Sequence, residues 1–442
     1  TTLVEPAQDA GALGQTMRAA LDVLRFELNK QLGIGSKNEP ITTNLALGFP
    51  LQNPEIGRYF HVYRPSVRHM VKTFENETGV RLWCSVRRSG KTTACLDLGA
   101  FGGNTVLINQ TMDYTGPRLL PGADARADPA LFQRSIFYQQ VTAAIASGRH
   151  IDDNFFMSVV QRCATDPRSR EAGRFVFVLD EYESLFDHLG ALAANDLLAR
   201  YRFVQPLLNQ MVAFSRDNLL VFIGQRPDSH YIIMDQNQLS PYVRQDSFPL
   251  FQNDRSGATS EFDELLRKVL TERVTFDAGF SDAVYEETSG HPFLTVNVLV
   301  DFFQWMIDER RRFEDLDLDG GDFLRFARER LSSDALRRST HFEFFGVYIT
   351  KMLGGQVRQQ QPWLYAVFTL LKQIGIHHPN HSCTEAEFAI HAKDILQEFQ
   401  WDAEYLLQTA TLSNFLSRRN GRVRPAIPVL ARLAAVHSPR LV

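Results

Sequence analysis

The spacing of apolar residues changes along this chain and divides it into segments. Between residues 58 and 252, short runs that are apolar on both faces alternate with segments of helical periodicity. Strands that are apolar on both faces and alternate with helices predict a parallel sheet covered by helices. The predicted strands are 80–84, 105–109, 174–181, 219–224 and 247–250, and the predicted helices follow residue 90 and cover 129–147, 152–163 and 192–215.

The chain on either side of this region is predicted to be helical. Residues 8–33 have the pattern of an amphipathic helix, which a connector with several prolines follows. Beyond Pro249, helices are predicted at 259–272, 280–289 and 293–313, where they would form a lid beside the sheet.

The last part of the chain has the element order of a winged helix. Helices are predicted at 363–374, 385–399 and 403–419, and the turn Asn420-Gly421 leads into a short extended segment and a final apolar helix. The predicted domains are therefore an N-terminal helix and linker (1–57), an α/β core (58–252), a helical lid and connector (253–358) and a winged-helix-like domain (359–442).

Composition narrows the class of protein. At 442 residues, 44% hydrophobic and 22% charged, the chain has the make-up of a multidomain soluble protein, and no apolar run approaches the roughly 20 residues of a membrane helix. No signal-peptide pattern opens the sequence. Its four cysteines lack paired spacing, which favours the reducing cytoplasm, and a net charge of −4 gives no overall attraction to nucleic acid.

The most informative motif is Ser89-Gly90-Lys91-Thr92-Thr93, which follows the first predicted strand and opens a helix. Unpaired amides at a helix start, together with the helix dipole, bind phosphate, and Gly90 allows the backbone to come close. Lys91 is predicted to reach the β- and γ-phosphates and Thr92 to ligate Mg²⁺. The loop 85–92 matches the pattern GxxxxGK[ST] except at its first position, which is Ser85.

A second element supports a nucleotide site. The strand 174–181 ends in Asp180 and Glu181, at the edge where parallel sheets bind ligands. Asp180 is predicted to hold Mg²⁺, and Glu181 is predicted to activate the attacking water as general base. The alternative is a core strand followed by an ordinary acidic helix cap.

With these elements placed, the chain resembles the AAA+/STAND superfamily of P-loop ATPases, and within it the archaeal-type branch that includes origin-recognition-like proteins. The resemblance spans residues 60–440, and two segments depart from it: Ser85-Val86 stands where Gly-Pro is usual, and 63–67 lacks a Gly-Arg-Glu-x-Glu pattern. The matching segments are Arg87-Arg88-Ser89-Gly90-Lys91-Thr92, Leu179-Asp180-Glu181, the sensor strand Phe222-Ile223-Gly224-Gln225-Arg226, the GxP motif Ser289-Gly290-His291-Pro292-Phe293 and a wing at 420–425.

The resemblance implies an α/β P-loop core followed by a helical lid and a winged-helix-like domain, with ATP and Mg²⁺ as ligands. Catalysis would fall to Glu181, Lys91 and Arg226, whose guanidinium would meet the γ-phosphate, although a surface arginine in a turn is the alternative. His291 is expected to act through backbone shape rather than through its imidazole. The implied nucleotide contacts are Ser85, Arg88, Ser89, Gly90, Lys91, Thr92, Thr93, Gly290, His291 and Pro292, and the implied magnesium ligands are Thr92 and Asp180.

Three further candidates have plain alternatives. Arg244 could reach a neighbouring subunit's nucleotide or simply lie on the surface. His377, His378, His381 and Cys383 invite a zinc interpretation, but their spacing fits no standard framework and favours a solvated loop. The run 315–320 imitates the start of a calcium loop, and Phe326 at the twelfth position rules it out.

Two functions of different classes remain. The first is a cytoplasmic ATPase of slow, regulatory turnover, a nucleotide-dependent switch that forms a homo-oligomer or activates a partner protein in defence or signalling. The second is a DNA-acting ATPase, related to origin recognition or the regulation of transposition, whose winged helix binds duplex DNA through Arg418, Arg419, Arg422 and Arg424. A degenerate scaffold that only binds nucleotide is a third possibility, against which the intact pair Asp180-Glu181 argues.

Overall fold

The structure is a computed structural model of the chain. It describes residues 62–74, 77–98, 105–109, 144, 147, 151–158, 175–231, 239–256, 259–270, 274–309, 316–378 and 382–437. The predicted helix at 8–33 and most of the segment 129–147 lie outside these residues.

The centre of the molecule is a sheet of five parallel strands. The strands are β1 (Gly79–Cys84), β2 (Thr105–Asn109), β3 (Val176–Asp180), β4 (Leu219–Gly224) and β5 (Val243–Ser247). Their order is β2-β3-β4-β1-β5, so β4 lies between the strand that leads to the Gly-Lys-Thr motif and the strand that ends at Asp180. The carboxyl ends of both strands therefore meet at one edge of the sheet, as the sequence predicts.

The position predicted for the fifth strand, 247–250, is wrong. The strand covers Val243–Ser247 and includes Arg244, which was placed before it. β5 is an end strand with a mostly polar sequence, so the apolar signal came instead from the buried residues Phe248 and Leu250 beyond it. Pro249 cannot donate to a strand ladder, which suits a position outside the sheet.

Helices cover the sheet. They are α1 (Pro65–Phe74), α2 (Lys91–Leu98), α3 (Tyr182–Asn195) and α4 (Gln205–Asp217), with short helical turns at Leu197–Ala199 and Arg200–Val204. The predicted helix 192–215 misses α3, which begins directly after Glu181. Phe156, Phe177, Phe186, Phe214 and Phe222 are buried between these helices and the sheet.

A helical region follows the sheet. Its helices are α5 (Glu261–Val269), α6 (Ala278–Thr288), α7 (Pro292–Asp308), α8 (Gly320–Arg330), α9 (Ser333–Arg338), α10 (Glu343–Met352) and α11 (Gly355–Gln360). The first three confirm the predicted lid helices to within a few residues, except that α7 ends at Asp308 rather than at residue 313. Sequence reasoning missed the small parallel pair β6 (Val274–Phe276) and β7 (Leu316–Leu318). The predicted domain boundary between residues 358 and 359 falls within α11.

The C-terminal unit is winged-helix-like, as predicted. It consists of α12 (Pro362–His377), β8 (Cys383–Thr384), α13 (Glu385–Phe399), α14 (Ala403–Leu412), β9 (Leu416–Arg419), β10 (Arg422–Pro425) and α15 (Pro428–Val436). The strands form an antiparallel sheet in the order β8-β10-β9.

The extent of the third helix, predicted as 403–419, is wrong. α14 ends at Leu412, and residues 416–419 form β9 instead. Asn414 has a φ of 59°, which a helix does not accommodate, so the helix cannot continue through this residue.

The lid and the C-terminal unit share one hydrophobic core. The same cluster contains Phe302 and Phe326 of the lid and Trp363 and Phe415 of the C-terminal unit, and it reaches Val86 within the predicted phosphate loop. No helix within the described residues is long and apolar enough to cross a membrane.

Candidate nucleotide site

The loop between β1 and α2 has the backbone that a phosphate loop needs. Gly90 has a φ of 88°, which L side chains rarely adopt, and Lys91 is the first residue of α2. A Cβ atom at Gly90 would lie 3.7 Å from both Arg64 and Pro292, so the loop is bordered by the segment before the sheet and by the lid. The exposed helix start and its glycine fit an anion.

Lys91 is directed into the loop. The side chain is largely buried, with 8% of its surface exposed. Its Nζ donates to the carbonyl oxygens of Ser85 and Val86, both at 3.0 Å, and to Ser89 Oγ at 3.2 Å. The ammonium group therefore sits at the centre of the loop, where it would meet a bound phosphate.

Thr92 and Asp180 meet as the magnesium assignment requires. Thr92 Oγ1 donates to Asp180 Oδ2 at 2.7 Å across the sheet edge. Asp180 is only 2% exposed, and burial raises the pKa of its carboxyl to about 6 even though the bond from Thr92 opposes this. A divalent cation would relieve the buried charge, and two oxygen ligands suit Mg²⁺, which completes its shell with water and phosphate. Among the described residues no cluster of three or more His, Cys, Asp or Glu side chains forms a metal site.

Glu181 marks the sharp turn from β3 into α3. Its φ of 54° lies in the left-handed region, which costs a non-glycine residue about 1–2 kcal/mol. Its backbone N–H donates to Asp180 Oδ1 at 3.0 Å. Such strain at the end of the acid-bearing strand is typical of a functional position.

Sequence reasoning missed Glu183. Its carboxylate accepts hydrogen bonds from the backbone N–H groups of Gln225 and Arg226, the latter at 3.0 Å. A Cβ atom at Gly224 would collide with this carboxylate, so the glycine makes the contact possible. Burial raises the pKa of Glu183. A lone glycine at the end of the fully apolar strand 219–224 was the signal that could have found it.

Arg226 lies against α3 in this structure. Its guanidinium is 2% exposed, and Nη2 donates to both carboxylate oxygens of Asp187 at 2.6 Å. Tyr182 donates its hydroxyl to the carbonyl of Arg226 at 2.5 Å. Contact with a γ-phosphate stays a prediction, which requires Arg226 to exchange Asp187 for the phosphate.

The GxP motif contacts the phosphate loop through His291. The buried imidazole donates from Nε2 to the carbonyl oxygen of Arg87 at 2.9 Å, while Nδ1 accepts the N–H of Leu294 at 3.2 Å. These two bonds define a neutral ring, and burial lowers the pKa of His291 to about 3. The imidazole thus adds a structural contact to the backbone shape that was expected of this motif, and a role of His291 in nucleotide binding stays a prediction.

The neighbouring motif residues shape this contact. Gly290 has a φ of 71°, and its carbonyl oxygen accepts the N–H of Phe251 at 3.2 Å. Pro292 opens α7 and borders Gly90.

The two loop arginines lie on aromatic rings of the lid. The Arg88 guanidinium stacks 4.0 Å from the Phe344 centroid and 4.8 Å from Phe293, and Arg87 lies 5.5 Å from Phe344 and from Tyr348. Burial lowers the pKa of Arg88 to about 10, and Arg87 adds to the effect. The Arg88 guanidinium thus makes cation–π contacts with the lid, and its contact with a phosphate stays a prediction.

The remaining candidates are placed as follows. Ser85 and Ser89 are buried within the loop, Thr93 is half-buried in α2, and Arg244 is exposed on β5. His378 and His391 bond through their Nε2 atoms at 2.9 Å, Cys383 is buried and donates to the carbonyl of Val423 at 3.7 Å, and His381 lies outside the described residues.

The strand order and the site together decide the fold class. The loop strand β1 and the acid strand β3 flank β4, whose end carries the sensor residues, and a helical lid covers the loop. The chain therefore has an α/β P-loop fold followed by a helical lid, as the sequence predicts.

Comparisons with known proteins show no family for this chain, and the solved structures that match it are distant. No protein-family model matches the sequence, and no curated protein matches it. Among solved structures, the Walker-type ATPase of Pyrococcus abyssi is 14% identical over 90% of this chain and 99% of its own, with a TM-score of 0.36. The ORC2 protein of Aeropyrum pernix, in ADPNP–ADP complexes, is 11% identical over 86% and 96%, with a TM-score of 0.38. Cdc6p of Pyrobaculum aerophilum is 13% identical over 87% and 97%, with a TM-score of 0.31. At these values the fold assignment depends on the strand order described above.

Proposed function

We propose that this chain is a cytoplasmic ATPase that binds Mg–ATP at the loop 85–92, hydrolyses it slowly and uses the nucleotide to switch its assembly with a partner protein or with further copies of itself. The observation that carries the proposal is the meeting of Thr92 and Asp180 at 2.7 Å beside Lys91, at the start of a helix. A defence or signalling system is the setting that suits such a switch.

Each residue of the site has a chemical task in this proposal. Lys91 leaves the carbonyls of Ser85 and Val86 to bind the β- and γ-phosphates, and the amides at the start of α2 hold the same oxygens. Mg²⁺, when bound by Thr92 and Asp180, neutralises the charge that grows on the phosphates. Glu181 accepts a proton from the water that attacks the γ-phosphorus, as a general base at the end of β3.

The contacts between site and lid support a switch. The lid holds the loop through His291 and through the rings beneath Arg87 and Arg88. Tyr348 of the lid also donates its hydroxyl to Gln225 Oε1 at 2.6 Å, at the end of the sensor strand. A bound nucleotide that moves the phosphate loop or the lid changes these contacts. Where it binds one arrangement of loop and lid more tightly than the other, the difference in affinity supplies the free energy of switching.

The DNA-acting alternative has one feature in its favour, the exposed arginines of the wing. Arg419, Arg422 and Arg424 are exposed on β9 and β10. Arg418, in contrast, is bound by the carboxylates of Glu385 and Glu404, at 2.7–3.0 Å. A DNA phosphate at this position would have to displace two carboxylates.

The third helix of the C-terminal unit is also poorly placed for DNA. Gln245 of β5 donates to Ser413 Oγ at 2.8 Å, so the end of α14 packs on the α/β core. The exposed positions of α14 are Glu404 and Gln408, which include no basic residue. These contacts favour the protein-directed switch over DNA binding.

Hydrolysis is tested by Glu181→Gln. We expect this variant to bind a non-hydrolysable ATP analogue with Mg²⁺ as the unchanged protein does, and to release phosphate from ATP about 100-fold more slowly or worse. Glu286→Gln, an exposed change on α6, is the matched control and should keep the full rate. Retained hydrolysis in Glu181→Gln would remove Glu181 as the base.

A further inference from the structure

Ser85 connects three parts of the molecule. Its backbone N–H donates to the carbonyl of Gly224 at 3.1 Å, and its own carbonyl accepts a hydrogen bond from Lys91 Nζ at 3.0 Å. Its hydroxyl accepts a hydrogen bond from Asn414 Nδ2 of the C-terminal unit at 3.1 Å. The glycine of the usual loop pattern could make the two backbone contacts but not the third.

Asn414 is held firmly at the other end of this contact. It lies between α14 and β9 with a φ of 59°, a conformation that asparagine tolerates better than most residues. The same Nδ2 also donates to the carbonyl of Phe248 at 2.7 Å, directly after β5. The amide therefore bridges the start of the phosphate loop and the end of β5 from outside the α/β core.

We propose that Asn414 is a positioning residue for the phosphate loop, and that its bond to Ser85 latches the C-terminal unit to the arrangement in which Lys91 binds the Ser85 carbonyl. This inference rests on the proposed nucleotide site, since Lys91 must leave that carbonyl to bind phosphate. The carbonyl that binds Lys91 and the hydroxyl that binds Asn414 both belong to Ser85. We therefore expect that a movement of Ser85 that frees Lys91 also weakens the hydrogen bond to Asn414. Nucleotide binding and release of the latch then favour each other, as linkage requires.

The neighbouring Gln245 provides a matched control. Its amide also joins the α/β core to the C-terminal unit, at Ser413 Oγ, and within the described part of the chain its side chain makes no hydrogen bond to the phosphate loop. Gln245→Ala thus removes an amide bridge between the same two units and leaves Ser85 untouched. Asn414→Gly removes the latch and keeps the left-handed backbone available.

The first experiment measures the affinity of the full chain for a non-hydrolysable ATP analogue with Mg²⁺ by calorimetry. Ser85→Ala and Asn414→Gly should each bind it about threefold to tenfold more tightly, the size of one neutral hydrogen bond. The double variant should bind no more tightly than the better single variant, since both remove the same bond. Gln245→Ala should bind as the unchanged protein does.

Hydrogen exchange gives a second readout that needs no nucleotide. Ser85→Ala alone should raise amide exchange at residues 413–419, and the analogue should raise exchange in the same residues of the unchanged protein. Equal affinities, weaker binding in the latch variants, an equal effect of Gln245→Ala, or unchanged exchange in Ser85→Ala would each overturn the latch. An unchanged protein that binds no nucleotide would instead refute the proposed function, which separates the two failures.

Discussion

His291 joins the lid to the phosphate loop through its ring, and its protonation is therefore coupled to folding. The imidazole is fully buried and gives its one proton to the carbonyl of Arg87. A second proton would displace the N–H of Leu294 from Nδ1 and place a charge beside Lys91. The ring consequently stays neutral in the folded protein.

This coupling predicts a pH-dependent stability. The pKa of His291 falls from 6.5 to about 3 on burial, so between these values the unfolded chain binds a proton that the folded protein does not. Stability should therefore fall as the pH is lowered through this window, by up to about 1.4 kcal/mol per pH unit from this residue. Urea unfolding between pH 7 and pH 5 should show the unchanged protein losing stability relative to His291→Gln.

The control for this measurement is His188→Gln, an exposed change on α3. Its stability should follow that of the unchanged protein at every pH. If the free energy of unfolding depended equally on pH in the unchanged protein and in His291→Gln, the ring would be protonated without cost in the folded protein. That result would contradict a neutral imidazole held by two buried hydrogen bonds.

At the same scale, the sequence predicted the residues whose neighbours are local. The loop that presents Lys91 and Thr92 follows from a strand, a glycine and a helix start within ten or so residues, and Asp180 follows from the end of an apolar run. The partners of Arg88 and Arg226 could not be predicted from the sequence. Arg88 lies on Phe344 of the distant lid, and Arg226 bonds Asp187 of α3, a helix that the periodicity did not reveal. Long-range contacts of this kind leave no pattern in the sequence.

At the scale of elements, the junction of α3 and β4 depends on a single glycine. Glu183 of α3 accepts two backbone N–H groups that follow Gly224, and the carboxylate occupies the space that a Cβ atom would need. The backbone of Gln225 and Arg226 is thereby fixed relative to the acid-bearing strand.

Gly224→Ala should therefore destabilise the protein by about 1–3 kcal/mol, the usual cost of overpacking, when measured by urea unfolding. Gly355→Ala is the control, because a Cβ atom there meets nothing within 4 Å and lies in the first turn of α11. If Gly224→Ala and Gly355→Ala had the same free energy of unfolding, that result would contradict the close contact between Glu183 and Gly224.

The elements themselves were predictable to different degrees. β2 and β4 match their predicted bounds because their apolar runs stop at polar residues or at glycine. α3 escaped detection because its start coincides with Glu181 in a left-handed conformation, which no propensity favours. The boundary of α14 was missed because the buried residues Phe415 and Leu416 continue the apolar pattern beyond the helix, although Phe415 precedes β9 and Leu416 is its first residue.

At the scale of the whole molecule, the lid and the C-terminal unit share one hydrophobic core, and both contact the proposed nucleotide site. His291 and Phe344 hold the tip of the loop, and Asn414 holds its base. An arrangement of this kind suits a molecule in which nucleotide controls how two attached units sit on the α/β core.

The charge distribution at this scale leads to a prediction about DNA. Because Arg418 is bound by two carboxylates and α14 offers no basic residue at its exposed positions, we expect no salt-sensitive binding of duplex DNA in a gel shift at low ionic strength. Affinity that falls steeply with salt and is lost in a variant with Arg419→Ala and Arg422→Ala would instead establish the DNA-acting alternative.

The measurement that tests the central claim most directly is calorimetric titration of the full chain with Mg²⁺ and a non-hydrolysable ATP analogue, compared with Lys91→Ala. We predict a single binding site in the unchanged protein and no measurable binding in the variant, because Lys91 lies at the centre of the loop that we propose to bind the phosphates. Folded protein that binds neither ATP nor GTP analogues, or a Lys91→Ala variant with unchanged affinity, would contradict the assignment of the site.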